Sequence, residues 1–141
     1  MTDAPAAFVL HAARVSVRST DALDPFVPGP WADLTVELRA DTRAIGTVGV
    51  RVEPDEDTVE VRVALEVEAR GQGYGTEAVG LVVEHALTER GFVRVVAFAP
   101  SDDERTQHLL ERVGLRYLAL DGDDLLYLRR ADARSPRDAA S

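Results

Sequence analysis

The stretch from Val59 to Ala99 constrains the fold of this chain more than any other. Val59, Val61, Val63 and Leu65 alternate with Glu60, Arg62 and Ala64, the period of a strand with one buried face. Three alternating glycines follow in Arg70-Gly71-Gln72-Gly73-Tyr74-Gly75. From Thr76 to Glu89 the apolar residues Ala78, Val79, Leu81, Val82, Val83, Ala86 and Leu87 make one wide helical face, and Gly91 stops it. Phe92 to Ala99 then reads as a buried strand. Strand, glycine loop, helix and strand form a crossover unit, so its two strands should be parallel neighbours. The loop also carries chemistry. First-turn helix amides have no partner inside the helix, and the helix dipole places partial positive charge there. Glycines let the backbone bend and let a bulky anion reach those amides. The junction predicts a phosphate cradle. The plain alternative, a glycine-rich turn without a ligand, would weaken the helix start with no evident packing return.

Two familiar phosphate loops are excluded. A P-loop needs Gly-Lys-Ser/Thr at the helix entry, and the chain has no lysine. A dinucleotide fingerprint counted from Gly71 would need glycine where Thr76 stands. What fits is Arg-x-x-Gly-x-Gly, Arg70 to Gly75. This resembles the acetyl-CoA signature of the GNAT N-acetyltransferases. Glu60 to Arg70 is similar to the strand and bulge before that loop in their ribosomal-protein alanine N-acetyltransferase (RimJ/RimL-like) branch. Gly73 to Ala78, Gly-Tyr-Gly-Thr-Glu-Ala, is similar to that branch's Gly-Tyr-Ala-Thr-Glu-Ala. The resemblance runs from about Trp31 to Tyr127.

The remaining segments agree in type. Phe8 to Arg18 holds one strand candidate, best placed at Arg14 to Arg18. Pro25, Pro28, Gly29 and Pro30 exclude a long helix before Trp31. Trp31 to Leu38 and Ala44 to Val52 read as strands joined by a turn, and with Val59 to Leu65 they make an antiparallel meander. After Pro100, Ser101-Asp102-Asp103-Glu104 reads as a capping box with Ser101 at the N-cap. A short helix follows, with Leu109, Leu110 and Val113 inward. Leu115 to Leu120 and Leu125 to Arg130 form a hairpin. The expected fold class is α/β (α+β). It has a mixed central sheet, an antiparallel N-terminal meander, a parallel β-α-β crossover and a C-terminal hairpin. Residues 1–130 are expected to form one domain and 131–141 a disordered tail.

Composition narrows the function classes. With 141 residues and 45% hydrophobic content, the chain suits a single core. It has no cysteine, which excludes disulfides, thiolate zinc sites and cysteine nucleophiles. No pair among the three histidines has metal-ligand spacing, so no metal is expected. His85 is expected on the polar side of its helix with Glu84, Thr88 and Glu89. A net charge of -9 argues against nucleic acid as a partner. No apolar run approaches bilayer length, and the start lacks a signal-like pattern, so a cytoplasmic location with no membrane partner is expected.

The resemblance implies roles for particular residues. Acetyl-CoA is the cosubstrate, and a protein N-terminus or small amine is the acceptor. The implied cofactor-binding set is Leu65, Val67, Arg70, Gly71, Gln72, Gly73, Tyr74, Gly75, Thr76 and Asp103. Loop amides hold the pyrophosphate, and Leu65 and Val67 pair with the pantetheine arm in strand fashion. The Leu65 amide would donate to the thioester carbonyl. Glu60 is the candidate general base, with a glutamate paired to a neighbouring arginine as the open alternative. Thr106, the second catalytic candidate, replaces the branch's serine, and Asp103 replaces its asparagine, adding charge near an anionic cofactor. Leu110 stands where many relatives have a tyrosine acid; Tyr117 and Tyr127 could supply a proton or simply pack. The family's two helices between its first and second strands are missing. The acceptor site would then be more open than usual, or completed by a second copy in a homodimer. A non-catalytic acyl-CoA-binding module is the alternative function.

Overall fold

A computed structural model describes residues 8–19 and 24–131. Eight strands form one sheet: β1 (Val9–His11), β2 (Val15–Ser19), β3 (Ala32–Leu38), β4 (Ala44–Val52), β5 (Thr58–Leu65), β6 (Arg94–Pro100), β7 (Arg116–Asp121) and β8 (Asp124–Arg130). Two helices accompany them, α1 (Tyr74–Glu84) and α2 (Glu104–Arg112). The strand order is β1-β2-β3-β4-β5-β6-β8-β7. Every pairing is antiparallel except β5 with β6, which is parallel, as the crossover requires. The mixed sheet, the meander and the C-terminal hairpin match the expectation.

Strand alternation sorts the two faces. Val15, Val17, Leu34, Val36, Val48, Val50, Val59, Val61, Val95 and Ala97 are buried. They form the core with Val79, Val82, Val83 and Leu110 of the helices. The alternate positions Arg18, Asp33, Glu37, Arg51, Glu60 and Arg62 point away and pair with one another. The pairs are Arg18–Glu37 at 3.2 Å, Arg51–Glu60 at 2.5 Å and Arg62–Asp33 at 3.3 Å. Among the described residues no helix covers that second face. No helix among them is long and apolar enough to cross a membrane.

Several local expectations are corrected. The N-terminal strand is two strands, because the chain reverses at Ala12, whose amide donates to the Val15 carbonyl at 2.9 Å. Helix α1 starts at Tyr74, two residues early, because Gly73 caps it with a left-handed φ of 85°. The N-cap of α2 is Asp103, not Ser101. The Ser101 amide is held by the Asp123 carbonyl at 3.0 Å, which fixes Ser101 in the preceding turn. The expected tail lies outside the described residues from 132 onward. Ala131 is tied to the sheet, its amide donating to the Val93 carbonyl at 2.8 Å.

His85 is the largest misplacement. Beyond Glu84 the helix widens into a π turn, His85–Glu89, which breaks the 3.6-residue phase used to place His85 among polar residues. The imidazole instead packs between Phe8 and Phe26, with ring centroids 5.4 and 5.3 Å away. Its Nε2 is buried without a hydrogen-bond partner. Burial lowers the His85 pKa from its ordinary 6.5, the Arg90 charge adds to this, and Glu89 and Asp24 oppose it. The folded-state value lies below the unfolded one, so the unfolded chain takes the proton first. Stability from neutral His85 is therefore full above about pH 6.5 and drains as pH falls through the lower folded-state value. Denaturant unfolding between pH 7.5 and 5 should show this loss, and His85→Phe should flatten it. An unchanged slope in the variant would place the acid sensitivity elsewhere.

Candidate active site

The site begins where the sheet opens. Strand β5 stays paired with β4 as far as Leu65, but with β6 only as far as Glu60. Strand β6 continues to Pro100 alongside β8 instead. The Glu66 amide donates to the Ile45 carbonyl and the Glu53 amide to the Thr58 carbonyl, both at 2.9 Å. By antiparallel alternation, Glu60, Arg62 and Ala64 then bond to β4. The Val61 carbonyl, the N–H and C=O groups of Val63 and the Leu65 N–H face the gap, and the Leu65 carbonyl accepts from Arg70 Nε at 3.2 Å. A cavity of about 140 Å³ lies there, bordered by Val61, Val63, Ala97, Asp103, Thr106 and Leu110. It continues through a space of about 240 Å³ along Leu65, Arg70 and Arg105, sharing Val63, Asp103 and Thr106. That space meets a third of about 150 Å³ under Gly71, Gly73, Gly75 and Thr76. One groove thus runs from the split in the sheet to the start of α1.

At the start of α1 the groove gathers backbone amides and guanidinium groups. Glu77 is the first residue of α1 to donate a helical hydrogen bond, to the Gly73 carbonyl at 3.0 Å. The amides of Tyr74, Gly75 and Thr76 are therefore without helical partners. Gly75 is buried in the first turn, where a Cβ would stand 2.9 Å from Leu109 Cδ1 and 3.2 Å from Leu65 Cδ1 and would displace those leucine tips. Arg70, Arg105 and Arg112 border the same space. Arg105 and Arg112 were not anticipated. Their spacing with Leu109 (i, i+4, i+7) was the available signal for a shared helix face.

Asp103 is engaged rather than free. Its Oδ1 accepts from the Thr106 amide at 3.1 Å, and its Oδ2 from the Thr106 hydroxyl at 2.7 Å. The Thr106 hydroxyl bond chiefly lowers the Asp103 pKa; burial opposes this, and the Thr106 amide, Arg105 and Arg70 assist. The extra charge therefore caps α2 between cations. The Thr106 hydroxyl, its hydrogen directed at Asp103, meets the groove as an acceptor rather than as an acid.

A clasp holds the glycine loop from behind. Glu77 accepts from the Arg14 amide at 2.6 Å, the Val15 amide at 2.9 Å and Arg14 Nε at 2.9 Å. Arg14 Nη1 donates to the Gln72 carbonyl at 3.0 Å, and its guanidinium lies 4.7 Å from the Tyr74 ring centroid. Burial raises the Glu77 pKa, but these three donors together bring it below its usual 4.5.

The geometry has counterparts among known proteins. The acetyltransferase (GNAT) domain model matches residues 10–116. The chain belongs to the GNAT acetyltransferase family. Membership makes it an acyltransferase by family. Solved structures share the GNAT fold. A candidate ribosomal-protein-serine acetyltransferase from Vibrio cholerae aligns with TM-score 0.75 at 13% identity, over 91% of this chain and 99% of that one. An acetyltransferase from Agrobacterium tumefaciens gives 0.69 at 20% identity, over 86% and 94%. A GNAT-family acetyltransferase from Bacillus anthracis gives 0.67 at 15% identity, over 71% of this chain and 66% of that one. No curated protein matches the chain in sequence.

The residues expected from the GNAT resemblance divide into two sets. Leu65, Arg70, Gly71, Gly73, Gly75, Thr76, Asp103 and Thr106 all border the groove. Gln72 and Tyr74 lie in the same loop and helix start. Val67 does not continue the strand: it opens a 3₁₀ turn, is 70% exposed, and its carbonyl accepts from the Arg70 amide at 3.2 Å. The strand-like edge therefore ends at Leu65. Glu60 is the last β5 residue paired with β6 and lies at the vertex of the split, on the uncovered face. Its Oε1 is bound to Arg51, the open alternative noted above. Leu110 is buried against the split. Tyr127 is buried and edge-on to Tyr117, with burial raising its pKa, and neither tyrosine borders the groove.

The clasp generates a stability prediction. Glu77→Gln halves the acceptor capacity facing three donors and should cost about 2 kcal/mol of unfolding free energy in urea titrations. A variant as stable as the parent would remove the clasp as a support of the loop.

Proposed function

We propose that this chain is a cytoplasmic N-acetyltransferase that moves an acetyl group from acetyl-CoA to a primary amine by direct attack in a ternary complex. The observation that carries this is the continuous groove, with helix-start amides lacking helical partners at one end and the β5 edge that β6 leaves after Glu60 at the other. The residues fit the cosubstrate in order. Tyr74, Gly75 and Thr76 amides, with Arg70 and Arg105, would hold a diphosphate. The Val63 edge and the Leu65 N–H, with the Thr106 hydroxyl oxygen, would pair with the amides of a pantetheine arm, while Arg70 Nε holds the Leu65 carbonyl at 3.2 Å. Bound there, acetyl-CoA supplies an activated thioester.

The other steps belong to the chain. The Leu65 amide, fixed by the β4 pairing on either side of it, is aimed to stabilise an oxyanion in the gap. Among the described residues Glu60 Oε2 makes no hydrogen bond, while Arg51 orients the carboxylate through Oε1. We assign it to take the amine proton, directly or through water. The acceptor is assigned to the protein N-terminus class on two supports. These are the Gly73-to-Ala78 motif and the likeness to the Vibrio cholerae protein.

Calorimetry with CoA should give a dissociation constant below about 1 mM. Acetyl-CoA-dependent thiol release should appear with peptide amines and fall about a hundredfold in kcat in Glu60→Gln, with KM for acetyl-CoA little changed. No heat with CoA at millimolar concentration would end the proposal. CoA binding without turnover of any amine would make the chain a binding module, a reading to which Leu110 in place of the tyrosine lends support.

A further inference from the structure

The sheet ends on β7, and that edge is unshielded. At the opposite edge β1 has 3 residues, whereas β7 has 6, all of them exposed. Tyr117, Leu118 and Leu120 each leave more than half of their surface to solvent. Natural chains usually guard a long apolar edge, because its free N–H and C=O groups recruit another strand.

The ladder shows which groups are free. The Ser101 amide donates to the Asp123 carbonyl at 3.0 Å, and the Ala131 amide to the Val93 carbonyl at 2.8 Å. By antiparallel alternation Leu125, Tyr127 and Arg129 then bond to β6, while Asp124, Leu126 and Leu128 bond to β7. Their opposites on β7 are Asp121, Ala119 and Arg116. The backbones of Tyr117 and Leu120 therefore turn outward. In a regular strand these two would face opposite ways; the bulge between Tyr117 and Ala119 brings both to the free edge.

This edge is complementary to itself. Its start carries Arg116, with Arg130 close by on β8, and its end carries Asp121, Asp123 and Asp124. The Arg116 and Asp121 side chains make no hydrogen bond or ion pair among the described residues. Set two copies antiparallel about a two-fold axis between Leu118 and Ala119. Tyr117 then lies opposite the partner's Leu120 and exchanges both backbone hydrogen bonds with it. Arg116 lies opposite the partner's Asp121 in a non-hydrogen-bonded pair, where side chains approach most closely. The bulge falls on the axis, between the two bonded pairs rather than within either.

We propose that β7 docks a second copy of this chain, edge to edge and antiparallel, joining the two sheets in a closed two-fold dimer. The inference stands apart from the acetyl-CoA reading.

The test is sedimentation equilibrium of the full chain at about 1 to 200 µM, where a dimer with Kd on the order of 10 µM is expected. Arg116→Asp and Asp121→Arg each set like charges opposite one another at both ends, and each alone should weaken association about tenfold or more. An equimolar mixture of the two variants should regain the dimer, since opposite charges then meet at both ends. Circular dichroism melts check that each variant folds. A parent that stays monomeric, a dimer that either single variant leaves intact, or a mixture no tighter than its components would overturn the assignment.

Discussion

The functional geometry depends on a failure of pairing. Backbone N–H and C=O groups are seldom left without partners in a folded chain. Yet β5 parts from β6 after Glu60 while remaining bonded to β4 through Leu65. The β4 pairing keeps the freed edge straight, and the β8 pairing keeps β6 from closing the gap. Leu110 and Thr106 of α2 border the opening from the helix side. The result is a strand edge preserved inside the protein and aimed at a slot. An extended ligand with its own amides can complete it as an added strand would.

The electrostatics follow the same economy of placement. The chain is acidic, yet the carboxylates beside its groove are paired off one at a time. Asp103 turns inward to Thr106, Glu77 to the Arg14–Val15 backbone, and Glu84 to Arg129. Arg70, Arg105 and Arg112 remain on the groove wall near the helix start, without a carboxylate partner among the described residues. Net charge describes the behaviour of the whole particle, while binding is set by which charges lack partners.

The crossover unit was legible because its signals are local and periodic. Alternating valines, a glycine loop and a wide apolar helix face occupy consecutive stretches, and the loop and strand residues border the groove as a group. The misses come from long range or from broken phase. Nothing near Glu77 announces that the Arg14 and Val15 amides lie against it, since they are more than sixty residues away. His85 was placed by a 3.6-residue wheel that the π turn invalidates. Ser101 and Asp103 both make plausible caps on paper, and only the bond from Ser101 to Asp123 decides between them. Val67 looked like strand until the chain turned at Glu66.

The bare face of the sheet has a consequence for selectivity. No helix roofs Glu60, Arg62 and Phe98 among the described residues; Trp31 alone lies over Arg51 and Arg62, so under the proposed reaction an acceptor would arrive at a face without a helical lid. An acyl donor kept there is exposed to hydrolysis unless the arriving molecule displaces water itself. A broad partner laid flat across paired charges shields the slot; a slender one leaves it wet. Under the proposed reaction, breadth of the incoming surface rather than a snug enclosure would be the trait that such a scaffold rewards.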